Sequence, residues 1–205
     1  MTSPREIEVK FFVKDPETTR SRIRALGVEA AEPVFESNIR YEDPERSFLR
    51  RGQLLRLRKD DGVTLTFKSN APESDRQFKV RRELEVKVDD FGRTDEIIRA
   101  IGFHREQVYE KYRETYRLDG AVLCLDRMPF GIFLEIEGDR SAIRRLADAL
   151  KMDWNRRILV SYLAIFGLLR QAHGLDFSDV TFANFQEIGE IDLSGILRRV
   201  EAGRG

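Results

Sequence analysis

Charged and apolar residues alternate along much of the first 140 positions, the two-residue period that a strand imposes on a sheet with two different faces. Residues 6–13 predict a strand. Residues 16–26 carry helical spacing, with Ile23 and Leu26 on one side and Gly27 as a stop. Residues 38–43 and 54–59 read as strands around a polar turn, and Asp60-Asp61-Gly62 reads as a hairpin turn into a strand over 63–68. A polar loop with Pro72 precedes a long alternating stretch over 78–88. A short helix is expected over 95–101, then a hairpin of 108–118 and 121–128 about Asp119-Gly120, then a strand over 132–137. Ser141 should cap a helix running to about Leu150, and 158–173 should form another, closed by Gly174. Phe177, Phe182 and Phe185 fall in an irregular segment, and 191–201 predict a last amphipathic helix. Short strands joined by hairpin turns, with interspersed helices, indicate an α+β chain built on an antiparallel sheet or barrel.

Parity assigns the charges. Glu6, Glu8 and Lys10 share one face of the first strand, opposite Ile7, Val9 and Phe11. Arg56 and Arg58 oppose Leu55 and Leu57. Thr64, Thr66 and Lys68 oppose Leu65 and Phe67. Arg81, Glu83, Glu85 and Lys87 oppose Leu84, Val86 and Val88. Lys111, Arg113 and Thr115 oppose Tyr112 and Tyr116, Asp126 opposes Leu123 and Leu125, and Glu135 and Glu137 oppose Leu134 and Ile136. For one strand alone, a solvated outer face is the ordinary explanation. Taken together the polar positions are almost all long ionisable side chains of both signs. A sheet closed around a charged lumen, with its apolar outer face under helices, accounts for all the strands at once. Such a lumen must hold its charges paired, wet or bound to ligands, because isolated buried charges are very costly.

Composition narrows the class. At 205 residues the chain suits one ordinary domain, or a domain with a tail. Charged residues make up 35%, yet 36 Lys+Arg balance 36 Asp+Glu, which argues against nucleic acid as a partner by global attraction. The start, residues 1–5, has no secretory signal character, and no apolar run approaches the ~20 residues a membrane helix needs. The single Cys124 excludes an internal disulfide and a cysteine-based zinc cluster. A cytoplasmic protein without a membrane partner is the expectation. Within the predicted lumen, Glu6, Glu8, Glu135 and Glu137 offer the hard oxygen donors that suit Mg²⁺ or Mn²⁺. Lys10, Arg56, Arg58, Lys68, Arg81, Lys111 and Arg113 offer point charges and planar forks for phosphate oxygens. Acids for metal beside bases for phosphate are the parts of phosphoryl transfer.

These residues resemble the CYTH superfamily, the triphosphate tunnel metalloenzymes. Glu6-Ile7-Glu8-Val9-Lys10 is similar to the ExExK opening, Leu55-Arg56-Leu57-Arg58 to LRxR, and Thr66-Phe67-Lys68 to TxK. Arg81-Arg82-Glu83-Leu84-Glu85 is similar to RxExE and Lys111-Tyr112-Arg113 to KxR. Leu125-Asp126, followed by Gly131, Phe133 and Glu135-Ile136-Glu137-Gly138, is similar to the LD…GxFxEIE stretch, and Ser161-Tyr162-Leu163 to a tail motif. The resemblance spans about residues 6–167. It implies an eight-stranded closed antiparallel barrel over 1–170, with a 171–205 extension packed on or near it. It implies Mg²⁺ or Mn²⁺ held by Glu6, Glu8, Glu135 and Glu137 with Asp126 as a further candidate, and a small-molecule triphosphate held by the seven cations. Lys10, Arg58, Glu83 and Glu85 form the expected catalytic set. Glu83, Glu85 and Asp126 stay open between metal ligands and partners of the cations, and a homodimer stays open.

The family includes triphosphatases and class IV adenylyl cyclases. The stretch from Glu110 to Gly138 looks most like the cyclase-like branch, but the segment before Glu6 lacks the His-Phe pair of class IV cyclases. Hydrolysis of tripolyphosphate or a small organic triphosphate is the leading expectation, cyclisation of ATP the second, and non-catalytic polyphosphate or nucleotide binding the third. His104, His173, Trp154 and the Phe-rich tail are assigned to surface or packing roles, and Cys124 to burial.

Overall fold

The computed structural model describes residues 5–29, 32–71, 75–118, 120–189 and 191–203; Pro72 and Asp119 of the predicted turns lie outside them. Eight strands run β1 (Arg5–Phe12), β2 (Val34–Glu42), β3 (Leu54–Lys59), β4 (Val63–Asn70), β5 (Lys79–Lys87), β6 (His104–Leu118), β7 (Ala121–Met128) and β8 (Gly131–Gly138). They close as an antiparallel barrel in the order β1-β5-β4-β3-β2-β6-β7-β8. Closure falls on β1, which pairs with β5 through Glu6↔Arg81 and with β8 through Glu8↔Glu137.

Outward residues of β1, β7 and β8 are apolar and meet helices. Val9, Phe11, Leu123, Leu134 and Ile136 pack under Ile23 of α1 (Pro16–Arg24) and Ile143 and Ala147 of α4 (Arg140–Ala149). A fully buried side chain such as Ile143 contributes about 1.5–3 kcal/mol of hydrophobic stabilisation. Ile98 of α3 (Phe91–Ala100) covers Ile39, Tyr41 and Leu57. Asp15 and Asp90 cap α1 and α3 by accepting from the amides of Thr18 and Arg93.

The C-terminal third closes one side. Lys10 and Ile158 exchange both backbone hydrogen bonds (3.1 and 2.8 Å), so Ile158 continues the sheet beyond the point where β5 begins at Lys79. This pairing corrects the predicted helix over 158–173: α5 (Tyr162–His173) starts only after Ser161, whose Oγ caps the Ala164 amide. Its Tyr162, Ile165, Phe166 and Leu169 pack with Phe130 and Phe133 of the barrel. Val180, Phe185 of α6 (Phe182–Phe185), and Ile196 and Leu197 of α7 (Ser194–Val200) complete the same cluster. Two further boundaries move. The helix expected from Ser141 begins at Arg140, with Asp139 at its N-cap, and the helix expected over 95–101 begins at Phe91, because Asp90 caps it. A four-residue helix, α2 (Ser47–Arg50), was not foreseen; the Glu42 carboxylate anchors it by accepting from the amides of Phe48 and Leu49. Among the described residues no helix is long and apolar enough to cross a membrane.

Candidate functional site: a charged tunnel

Same-parity residues of neighbouring strands share a face, and here that face is the lumen. Registers Lys10↔Glu135, Glu83↔Lys68, Glu85↔Thr66 and Arg56↔Arg40 stack charged side chains around it. They enclose a cavity of about 250 Å³. Its lining brings together Glu6, Glu8, Lys10, Arg56, Arg58, Lys68, Glu83, Glu85, Lys111, Arg113, Glu135 and Glu137, all of them sequence candidates.

One region is rich in carboxylates. Both Glu6 oxygens accept from Lys68 Nζ (2.6 and 2.7 Å), and Glu8 Oε1 accepts from Lys10 Nζ (2.5 Å) and Lys79 Nζ (2.6 Å). Burial raises the pKa of Glu8, but the charges of Lys10 and Lys79 overcome it and hold the group well below the ordinary carboxylate range. Glu83 lies 3.1 Å from Lys68 and 3.9 Å from Arg56. Burial, reinforced by Glu6 and Glu85 and opposed by Lys68, pushes its pKa up to about 7. Glu137 makes no ion pair or hydrogen bond among the described residues, and burial with the nearby charges of Glu6 and Glu8 raises it to about 7. In both carboxyls burial is the main cause of the raised proton affinity, and neighbouring carboxylates add to it.

The opposite region holds the cations. Asp126, wholly buried, accepts from Arg113 Nε and Nη2 (both 2.6 Å), Lys111 Nζ (3.1 Å) and Tyr162 Oη (2.9 Å). Arg113 also donates to Glu135 (2.5 Å), which lies 2.9 Å from Lys10. Four guanidinium Nε donors, of Arg40, Arg56, Arg58 and Arg81, are buried without a hydrogen-bond partner. Arg58 Nε lies 2.9 Å from Asp60 Oδ2, at an angle that gives an ion pair but no hydrogen bond. Buried donors without acceptors are costly unless something supplies oxygens to them.

Two candidates sit apart from the cavity lining. Arg81 is turned to the rim, where it donates to Asn70 Oδ1 (3.0 Å) and Gly52 O (2.6 Å). Asp126 lies behind the lining, with its oxygens occupied by Arg113, Lys111 and the Tyr162 hydroxyl. Sequence reasoning missed Glu36, Asn38 and Arg40 of β2, Lys79, Tyr109 and Tyr162. β2 starts at Val34, four residues before the predicted strand, and its even positions continue the lumen face. Lys79 has the parity of Arg81 and was legible on that ground. Tyr162 comes from α5 and gave no strand signal; its ring lies 5.2 Å from Lys10 Nζ and 5.8 Å from Lys111 Nζ, cation–π distances for both. His104 is exposed beside Glu106, Cys124 is buried, and Trp154 packs on Phe11 and Phe78, as their assigned roles require.

The donor chemistry suits a hard divalent cation. Glu6, Glu8 and Glu137 are neighbours across β1 and β8, all oxygen donors, and Glu137 has no cation of its own. Among the described residues no three carboxylates, histidines or cysteines already converge as a metal site, because Glu6 and Glu8 are turned to lysines.

A family model described as CYTH domain matches residues 4–163. A Methanocaldococcus jannaschii protein named a putative adenylate cyclase is 28% identical over 175 residues, spanning 80% of this chain and 99% of its own length. Among solved structures, a Pyrococcus horikoshii protein matches with a TM-score of 0.67 at 26% identity, covering 80% of this chain and 99% of that one. A Hippeastrum putative adenylyl cyclase, described as having a dominant triphosphatase activity, matches in fold with a TM-score of 0.57 at 19% identity, covering 80% and 95%.

Proposed function

The chain belongs to the CYTH domain family, and from that premise we propose that it is a divalent-metal-dependent hydrolase of tripolyphosphate or a small organic triphosphate, working inside its tunnel. The observation that carries the reading is the pairing of two deficits in one cavity. The buried Nε donors of Arg40, Arg56 and Arg58 lack hydrogen-bond acceptors, and Glu137, across from Glu8, has no cation of its own. A triphosphate with its metal supplies both.

Lys10, Arg56, Arg58, Lys68, Lys111 and Arg113 bind the phosphate oxygens and stabilise charge as it develops in the transition state. Glu6, Glu8 and Glu137 hold the metal, with Glu135 as a further donor. When bound, Mg²⁺ or Mn²⁺ neutralises phosphate charge and polarises the phosphoryl group. Glu83 is the better placed of the two candidate bases. Its proton affinity near pH 7 suits it to take the proton of an attacking water, whereas Glu85 is held ionised below the ordinary range, burial being outweighed by Thr66 and Arg56. Water oxygen then bonds to the terminal phosphorus, the bridging P–O bond breaks, and orthophosphate leaves the shortened chain.

Hydrolysis is favoured over cyclisation because it asks less of the site: a water beside the terminal phosphorus and a carboxyl such as Glu83 to take its proton, with no ribose hydroxyl to hold in line with the innermost phosphorus. Class IV adenylyl cyclase is the second reading, supported by the name of the Methanocaldococcus relative and its alignment over 99% of that protein's length. The test is purified protein with Mg²⁺ or Mn²⁺, offered tripolyphosphate, thiamine triphosphate and ATP separately, with products resolved by phosphorus NMR. Orthophosphate from tripolyphosphate is the expected product. Pyrophosphate and cyclic AMP from ATP, with tripolyphosphate intact, would replace hydrolysis by the cyclase.

A further inference from the structure

The barrel wall has a seam. β1 pairs with β5 only as far as Glu8↔Lys79, and at Lys10 its backbone bonds pass to Ile158. Between the start of β5 and the residues that follow Ile158 lies an outer groove of about 600 Å³. Lys79 and Ser161 line both this groove and the lumen cavity, so the two spaces share these residues at the seam.

The groove differs in chemistry from the lumen. Val80, Leu159, Val160 and Ala164 give it apolar walls. Asn70 at its edge accepts from Arg81 and donates to Arg51 O (3.4 Å), which leaves one amide hydrogen and one lone pair for a ligand. Ser161 Oγ accepts the Ala164 amide and keeps its own proton to donate. An apolar slot with a few convergent polar groups is the usual character of a small-molecule subsite, and the groove's volume falls inside the range of such sites. Bare tripolyphosphate has nothing to place there.

We propose that this groove at the β5–Ile158 seam is the subsite for the organic group of a small triphosphate ester, whose phosphate chain passes Lys79 and Ser161 into the lumen. The proposal deepens the triphosphate reading and rests on it for the phosphate end. It makes the ester, rather than tripolyphosphate, the preferred ligand. The lumen holds the anion, and the groove adds affinity through apolar burial at about 25 cal/mol per Å².

The test fills the groove without touching a lumen charge. Ala164→Trp places an indole from the exposed face of α5, and Val160→Phe narrows the slot from the segment that leads into α5. Melting temperatures identify any variant that fails to fold. Binding of ATP, thiamine triphosphate and tripolyphosphate is measured by calorimetry, which needs no turnover. The expected result is at least one ester binding wild type about tenfold or more tighter than tripolyphosphate. In both folded variants that advantage falls to less than about threefold, while tripolyphosphate binding stays within about twofold. Equal losses for esters and tripolyphosphate, no loss for either, or wild-type esters no tighter than tripolyphosphate would overturn the subsite. Failure of the phosphate reading itself shows separately, as absence of tripolyphosphate binding to wild type.

Discussion

Asp126→Asn separates two readings of one buried carboxylate. Asp126 is inaccessible to water and accepts four hydrogen bonds, three of them from cations. The amide replaces an anion between Arg113 and Lys111 with a neutral group, and one of its two polar ends presents hydrogens to donors. Removing one partner of a buried ion pair costs about 3–5 kcal/mol. The lower end applies here, because Arg113 keeps Glu135 at 2.5 Å and Lys111 keeps Glu36 at 3.4 Å. With a urea m-value of about 3 kcal/mol per M, about 3 kcal/mol lowers the unfolding midpoint by about 1 M. The assay is urea unfolding of the metal-free protein, followed by tryptophan fluorescence and circular dichroism. Tripolyphosphate should restore part of the loss, since its oxygens can take up the stranded cations and binding to the native state raises stability. An unchanged midpoint in metal-free protein, together with lost metal affinity, would refute the anchoring role and return Asp126 to the metal ligands.

Chelation with EDTA should abolish turnover and Mg²⁺ or Mn²⁺ should restore it, while Glu8→Gln and Glu137→Gln should mimic the chelated state; full activity in EDTA would exclude the metal. Arg58→Ala should lower kcat/KM by about 30- to 900-fold, equivalent to about 2–4 kcal/mol of transition-state stabilisation. Its melting temperature should change little, because its bonds are to Thr64 and the half-buried Asp60. Glu83 and Glu137 have folded pKa values of about 7, above the ordinary carboxylate value, so the native state binds more protons than the unfolded state between about pH 4.5 and 7. Their contribution therefore favours folding at the lower end of that window and is lost as pH rises through it. Urea midpoints of metal-free protein across the window should show this decline, and Glu83→Gln with Glu137→Gln should flatten it.

The barrel was legible because closure converts a one-dimensional signal into a three-dimensional one. Alternation in Glu6-Ile7-Glu8-Val9-Lys10 and in Phe133-Leu134-Glu135-Ile136-Glu137 fixes which side chains face inward, and hydrogen-bonded neighbours must then share that face. Parity carries no information on stagger. It could not tell that Glu6 would reach Lys68 on a strand that is not its neighbour, or that Lys10 would sit between Glu8 and Glu135. It likewise could not separate Asp126 from Glu135, which have the same face and chemistry and share Arg113, but of which one also holds Lys111 and the other Lys10. Tyr162 stood out only as part of the tail motif, and its lumen position was hidden for another reason. Its place in the lumen depends on the nonlocal pairing of Ile158 with Lys10, which brings the first turn of α5 to the tunnel, and no local propensity encodes such a pairing. The β2 residues were missed because Val34, Phe35 and Glu36 follow Pro33 and resemble a loop exit until their alternation is followed into Asn38 and Arg40.

The ion pairs of the lumen have a consequence for how it fills. Glu6 holds Lys68, Glu8 holds Lys10 and Lys79, and Glu135 holds Lys10 and Arg113. Each proposed metal ligand except Glu137 therefore occupies a cation, and four cations, Lys68, Lys10, Lys79 and Arg113, are held by acids that a metal would draw away. A metal arriving at Glu6 and Glu8 loosens Lys68, Lys10 and Lys79, which are then free to take phosphate oxygens. A triphosphate arriving at the lysines loosens the same carboxylates for the metal. Exchange of partners in both directions makes the two ligands assist each other, and linkage requires the assistance to be equal in free energy whichever binds first. It also means that deletions within this group are not additive, since removing Glu8 changes what Lys10 and Lys79 have left to hold. Glu137 stands outside the exchange. With no cation to release, it is the carboxylate at which a metal can begin to bind before any ion pair has opened.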